Sequence, residues 1–304
     1  MHHFLMINQK KIEVLQKGGS GIPIIILTGM GCSFDEWYEV TETLSKSNRV
    51  IMFHRPGLGD SEIHNEARNT QAVVNEINEI IHLLKLCEPI LLVGHSYGGL
   101  CVQHFVKVHP KKVAGIILVD STSVDLKVLD DLDLPTLNDG ATDEFWMEKC
   151  HAYSRMEKEE LKEVITPALS EKQKRLPYDI QQRLLDFQIN PSLYKAMYKE
   201  ISNWKRDGEI IKNLVEYPDI PLIVLSRDLE HCIRLGLMEG LPEWELRLFE
   251  EKWQELVRNQ VNLTSKGKLI IAQGSSHSIH MDRPDIIVHS IREMTSVLNL
   301  HEKA

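Results

Sequence analysis

The chain has 304 residues, with 44 acidic against 35 basic side chains and a formal net charge of −9. That sign gives no electrostatic draw toward nucleic acid or an anionic membrane surface, and no apolar run approaches the roughly 20 residues that span a bilayer. At 42% hydrophobic the chain can bury a sizeable core, and its length suits one large domain or one and a half.

The opening Met1-His2-His3-Phe4 has no basic stretch followed by a long apolar run, so no signal peptide is expected. Phe4–Ile7 and Ile12–Leu15, split by the polar Asn8-Gln9-Lys10-Lys11, predict a hairpin. Strands are predicted at Ile22–Leu27 and Arg49–Phe53. Thr70–Leu84 puts Val73, Val74, Ile77, Ile80, Ile81 and Leu84 on one helical face, with Asn69 or Thr70 able to cap it. Ile90–Val93 reads as a buried strand, Leu100–His109 as a helix and Val113–Val119 as another all-apolar strand. From 121 to 219 the alternation stops. That charged stretch shows helical patches at Glu144–Tyr153, Lys158–Ile165, Tyr178–Phe187 and Ser192–Trp204, and no strand pattern. Alternation returns with Pro221–Leu225, a helix at Glu243–Val257, Leu269–Ala272 and a helix at Pro284–Leu298. The fold class is therefore α/β, a mostly parallel sheet with helices on both faces. Its core spans 1–120 and 220–304, and an all-helical segment, 121–219, is inserted after the strand Val113–Val119.

The strand Ile90–Val93 runs straight into Gly94-His95-Ser96-Tyr97-Gly98-Gly99 and then a helix. A serine between glycines at a strand-to-helix turn has the pattern of a nucleophile elbow. The glycines remove Cβ atoms where the backbone reverses, and the helix N-terminus directs its positive dipole end at charge developing beside the serine. The five cysteines, Cys32, Cys87, Cys101, Cys150 and Cys232, are odd in number, scattered and without metal-type pairing, which suits a reduced, cytoplasmic setting. No metal site is expected.

Four motifs in order carry a resemblance to the α/β-hydrolase family, covering nearly all of the chain outside 121–219. Besides the elbow they are Thr28-Gly29-Met30-Gly31 after an apolar run, His54-Arg55-Pro56-Gly57-Leu58-Gly59-Asp60-Ser61 after Val50–Phe53, and Gly274-Ser275-Ser276-His277 followed by Asp282-Arg283-Pro284. The first is similar to the family's oxyanion loop, with Thr28 where a histidine is usual and a bracing side chain thereby lost. The second has His54 where an aspartate is usual. The resemblance implies Ser96 as nucleophile, His277 as base, backbone amides of Met30 and Tyr97 as oxyanion hole, and the helical segment as a cap over the site.

His280 competes with His277, His95 reads as a packing residue, and His54 and His64 are placed to line a pocket. The acid stays open between Asp120, at the end of the strand Val113–Val119, and Asp228 or Glu230, after Leu222–Leu225. The esterase-like members that the chain most resembles often lack an acid in the later loop, which favours Asp120. Phe145, Trp146, Tyr153, Phe187, Tyr194, Tyr198 and Trp204 are candidate pocket walls.

The activity implied is hydrolysis of a carboxylic ester through a Ser-His-Asp triad and an acyl-enzyme, on a small-molecule substrate and without metal or organic cofactor. Family members that open epoxides or remove halide use aspartate as nucleophile, so Ser96 argues against those reactions. Amidase, lactonase and carbon–carbon hydrolase chemistry stay open, as does a ligand receptor or signalling module that keeps the triad. Oligomeric state is not legible.

Overall fold

The computed structural model describes residues 2–301. A hairpin of β1 (His2–Ile7) and β2 (Lys10–Lys17) opens the chain, followed by β3 (Pro23–Leu27), α1 (Tyr38–Leu44), β4 (Arg49–Phe53), α2 (Thr70–Leu83), β5 (Ile90–His95), α3 (Tyr97–Val108) and β6 (Val113–Val119). After the inserted segment come β7 (Leu222–Arg227), α8 (Leu229–Met238), α9 (Glu243–Asn259), β8 (Gly267–Ala272), the short α10 (Ile279–Asp282) and α11 (Pro284–His301). The strands form one sheet in the order β1-β2-β4-β3-β5-β6-β7-β8. Only β1 with β2 and β2 with β4 pair antiparallel, and every pairing from β4 to β8 is parallel.

The two-residue period of the strands sorts the core into two layers. Ile24, Ile26, Leu91, Val93, Ile117 and Val119 pack with α1 and α11, whereas Ile25, Leu27, Leu92, Ile116 and Leu118 pack with α2 and α3. Both faces are buried, so the central strands are continuous apolar runs rather than alternating ones. Shortening Ile25 or Ile26 to alanine in such a core costs about 2–5 kcal/mol. Helix α2 is capped by the Asn69 side chain, which accepts from the Ala72 amide at 2.9 Å.

Between β6 and β7 the described residues form α4 (Asp143–Tyr153), α5 (Lys158–Ile165), α6 (Tyr178–Gln188) and α7 (Pro191–Lys212), with no strand among them. Several elements differ from the sequence expectation, which marks neither α1 nor α10. Helix α7 runs past Trp204 to Lys212, because Asp207, Gly208 and Ile211 are buried and Asp207 accepts the Thr70 amide at 2.8 Å. Helix α3 begins at Tyr97 rather than Leu100, directly after Ser96. The stretch after β7, expected as a loop, becomes α8, because the Asp228 side chain accepts from the His231 amide and caps it.

Candidate active site

Strand β5 delivers Ser96 to the carboxyl-terminal edge of the sheet, where open α/β sheets bind ligands. Local crowding fixes the turn. A Cβ on Gly94 would stand 2.6 Å from the Gly99 Cα, and one on Gly98 would stand 2.5 Å from the Leu27 carbonyl oxygen, so neither position admits a side chain. Ser96 itself has φ +51° and ψ −124°, a conformation that costs a non-glycine residue of order 1–3 kcal/mol. Its amide donates to the Val119 carbonyl at 3.2 Å, and its carbonyl accepts from the Thr122 amide at 3.1 Å, so the end of β6 grips the turn from both sides.

His277 lies on the loop between β8 and α10. Its Nδ1 donates to Asp120 Oδ2 at 2.6 Å, which leaves the lone pair of the neutral ring on Nε2. No hydrogen bond joins the Ser96 hydroxyl to His277 among the described residues. Resting hydrogen bonds of this kind are often loose until substrate binds. His95, buried beside the serine, donates from Nε2 to the His277 carbonyl at 3.0 Å. Burial, with His277 and His280 adding to it, holds the His95 pKa well below the usual range, so its ring is neutral.

Asp120 is fully buried and, like Ser96, has a positive φ, +41°. Its Oδ1 accepts from the Arg227 amide at 3.2 Å, and its Oδ2 accepts from Trp253 Nε1 at 3.2 Å and Arg227 Nη1 at 3.3 Å as well as from His277. Burial pushes its pKa up, but the Arg227 charge and the hydrogen bond from His277 outweigh it and bring the pKa down to about 2. Arg227 is held in turn by Glu250, which accepts from Nε at 2.8 Å and Nη2 at 2.9 Å. Its guanidinium lies 4.6 Å from the centre of the Trp253 ring. No motif or spacing in the sequence marks this Asp120–Arg227–Glu250 chain.

The other carboxylates are engaged elsewhere. Asp228, besides capping α8, accepts the Gly274 amide at 2.9 Å and so braces the start of the loop that carries His277. Glu230 is exposed and pairs with Arg247 at 2.9 Å. His280 stacks on Trp37 at a centroid distance of 4.7 Å, and Glu36 is the nearest carboxylate to it, at 3.6 Å.

The loop carrying Met30 lies against the serine, since a Cβ on Gly29 would be 3.1 Å from the Ser96 Cβ. Tyr97 is the first residue of α3, so its amide is one of those that an α-helix leaves without an intrahelical partner. The sequence suggested that this loop loses its brace with Thr28. Instead, buried Arg55 donates to the Thr28 carbonyl at 2.8 Å and the Gly29 carbonyl at 3.0 Å. Glu200 of α7 holds that guanidinium with contacts of 2.8 and 3.1 Å. Cys32, next along the loop, has its thiol pKa pushed up by burial and then by Glu36, so it is not a thiolate.

A cavity of about 460 Å³ lies on the α9 side, with Thr122, Trp204 and Trp253 among its walls, and Trp253 in turn contacts Asp120 and His277. A second, of about 350 Å³, is lined by Asp35, His54, Arg183 and Phe187. Of the predicted aromatic walls, Trp204 and Phe187 reach these cavities. Tyr153 and Tyr194 pack edge to face at 5.1 Å, His151 packs against Tyr198, and Phe145 and Trp146 are exposed beside Lys149. His54 is buried and donates from Nδ1 to Glu13 at 2.7 Å, and His64 lies on an exposed loop. Among the described residues no group of three or more His, Cys, Asp or Glu side chains is arranged to hold a metal ion.

The family model described as the alpha/beta hydrolase fold matches residues 22–151, which takes in the Met30 loop, the elbow and Asp120. The chain has the α/β-hydrolase fold. A structure of a candidate epoxide hydrolase from Pseudomonas aeruginosa superposes on this chain with a TM-score of 0.72, 15% identity and coverage of 98% of this chain and 96% of that one. A candidate lipase from Acinetobacter baumannii gives 0.66 at 14% identity, covering 99% and 92%. The Bacillus subtilis protein YqjL is 22% identical over 273 residues, 90% of this chain and 83% of its own. No described helix of this chain is long and apolar enough to cross a membrane.

Proposed function

We propose that the protein is a serine hydrolase acting on a carboxylic ester, with Ser96 as nucleophile, His277 as general base and acid, and Asp120 as the triad acid. The observation that carries this reading is the 2.6 Å contact between His277 Nδ1 and buried Asp120, beside a serine in a strained turn. Asp120 fixes the tautomer that leaves Nε2 able to take the Ser96 proton, and with a pKa of about 2 it remains a carboxylate that stabilises the imidazolium. Ser96 Oγ adds to the ester carbonyl while its proton passes to Nε2. The oxyanion is met by the amides of Met30 and Tyr97, fixed dipoles that need no reorganisation as charge develops. Collapse of the tetrahedral adduct breaks the bond to the alkoxy oxygen, which leaves as the alcohol with the proton from His277. Water, deprotonated by the same ring, then releases the carboxylic acid from the acyl-enzyme. Residues 121–219 act in this reading as a cap, with Glu200 and Arg55 tying α7 to the Met30 loop.

A serine at the elbow separates this reading from epoxide opening, which in this fold uses an aspartate there. Purified protein is expected to turn over 4-nitrophenyl butyrate, with Ser96→Ala and His277→Ala each slower by at least about 10³-fold. Ser96→Ala turning over at the parental rate would defeat the reading. Absence of any turnover in the parent would favour the ligand-binding module instead.

A further inference from the structure

We propose that the 460 Å³ cavity beside Trp253 receives an uncharged, apolar acyl chain of medium length, and that its acidic outer end discriminates against acyl groups carrying a terminal carboxylate. This rests on the serine-hydrolase reading and adds a substrate class to it.

Two walls of the cavity belong to the reacting groups' immediate surroundings. The Thr122 amide donates to the Ser96 carbonyl at 3.1 Å. Trp253 donates to Asp120 at 3.2 Å and stands edge-on to the His277 ring at 5.5 Å. From there the lining turns apolar, with Leu126, Leu129 and Phe249. At roughly 30 Å³ for a water-sized group, the volume holds on the order of ten heavy atoms.

The far end carries charge. Lys205 pairs with Asp130 at 2.7 Å and Asp143 at 2.8 Å, Asp143 also accepts from Trp204 Nε1 at 2.9 Å, and Glu144 lies in the same wall. Three carboxylates against one ammonium leave this end net negative at neutral pH. A neutral methyl terminus is tolerated there, and a second carboxylate on the substrate is repelled.

The test uses 4-nitrophenyl esters from acetate to dodecanoate, with a half-ester of a dicarboxylic acid matched in length to the octanoate. The expected result is a kcat/KM optimum between hexanoate and decanoate, and at least a tenfold preference for octanoate over the half-ester. Leu129→Trp, which fills the cavity, is expected to lower the octanoate-to-acetate ratio of kcat/KM by at least tenfold. Asp130→Asn with Glu144→Gln, both at exposed positions, is expected to narrow the discrimination against the half-ester. In parallel, calorimetric titration of Ser96→Ala with methyl octanoate reads the site without turnover, and Leu129→Trp in that background should weaken binding at least tenfold. An unchanged chain-length ratio together with unchanged methyl octanoate affinity in Leu129→Trp overturns the assignment of the cavity. Binding that responds to Leu129→Trp in a protein that hydrolyses none of the esters upholds the site and counts against the hydrolase reading alone.

Discussion

Replacing Asp120 with asparagine changes one atom in a packed and fully paired environment. Oδ2 accepts from His277, Arg227 and Trp253, and Oδ1 accepts from the Arg227 amide. Asparagine satisfies three of these four donors when its carbonyl takes the Oδ2 place and its NH2 turns toward the Arg227 amide. The opposite flip sets the NH2 against three donors and is disfavoured. The His277 tautomer therefore survives, but the negative charge that stabilises the imidazolium is gone, and Arg227 is left with Glu250 alone. One donor facing another in a buried place costs about 1–3 kcal/mol of stability. The catalytic loss should approach that of an analogous triad substitution in serine proteases, about 10⁴-fold or about 5.4 kcal/mol of transition-state stabilisation. Steady-state kcat/KM on 4-nitrophenyl butyrate, with circular dichroism to establish folding, measures it. Asp228→Asn and Glu230→Gln are expected to stay within a few-fold of the parent. A folded Asp120→Asn protein that keeps more than a tenth of the parental rate, with Asp228→Asn inactive, would refute the reasoning.

The two candidate histidines should separate in the same assay. His277→Ala loses several decades in kcat, because triad members act as a unit, whereas His280→Ala, which removes a stacking partner of Trp37, keeps most of its kcat and unfolds at a lower temperature. Equal losses in kcat would contradict this. Glu200→Ala leaves the guanidinium of Arg55 buried without its carboxylate and should cost about 3–5 kcal/mol in urea unfolding; a cost under 1 kcal/mol would show that the pair does not hold the Met30 loop to α7. Asp120, with a folded pKa of about 2 against about 3.9 when unfolded, contributes roughly 2–3 kcal/mol of stability. Because the folded value is the lower one, that contribution is present above pH ~4 and is lost as pH falls from there toward 2. Melting temperatures between pH 5 and 3 should therefore fall less steeply in Asp120→Asn than in the parent, and parallel curves would contradict the assigned cause.

The sheet and the elbow were legible because their signals are local. Uniform apolar runs mark strands buried on both faces, and glycines at 94 and 98 mark a backbone too crowded for a Cβ. The choice among Asp120, Asp228 and Glu230 was not legible, since each follows a parallel strand and only the stacking order of β6, β7 and β8 decides which carboxylate meets the loop of His277. The helix after β7 escaped for a related reason: Asp228 reads as a possible acid, whereas it caps α8 and braces Gly274. Arg55 and Glu200 are 145 residues apart, and Arg227 and Glu250 meet only once α9 lies on β7. Pairings made by tertiary approach leave no periodicity to read. The loop around Thr28 illustrates the consequence, because the histidine it lacks pointed to a missing brace that a distant arginine supplies.

The central claim is that Ser96 is an activated nucleophile, and a fluorophosphonate probe tests it most directly. Incubation followed by intact-mass and peptide analysis should show a single adduct, located on Ser96, with labelling abolished in Ser96→Ala and strongly slowed in His277→Ala. Labelling that persists in Ser96→Ala, or an adduct on another residue, would contradict the account.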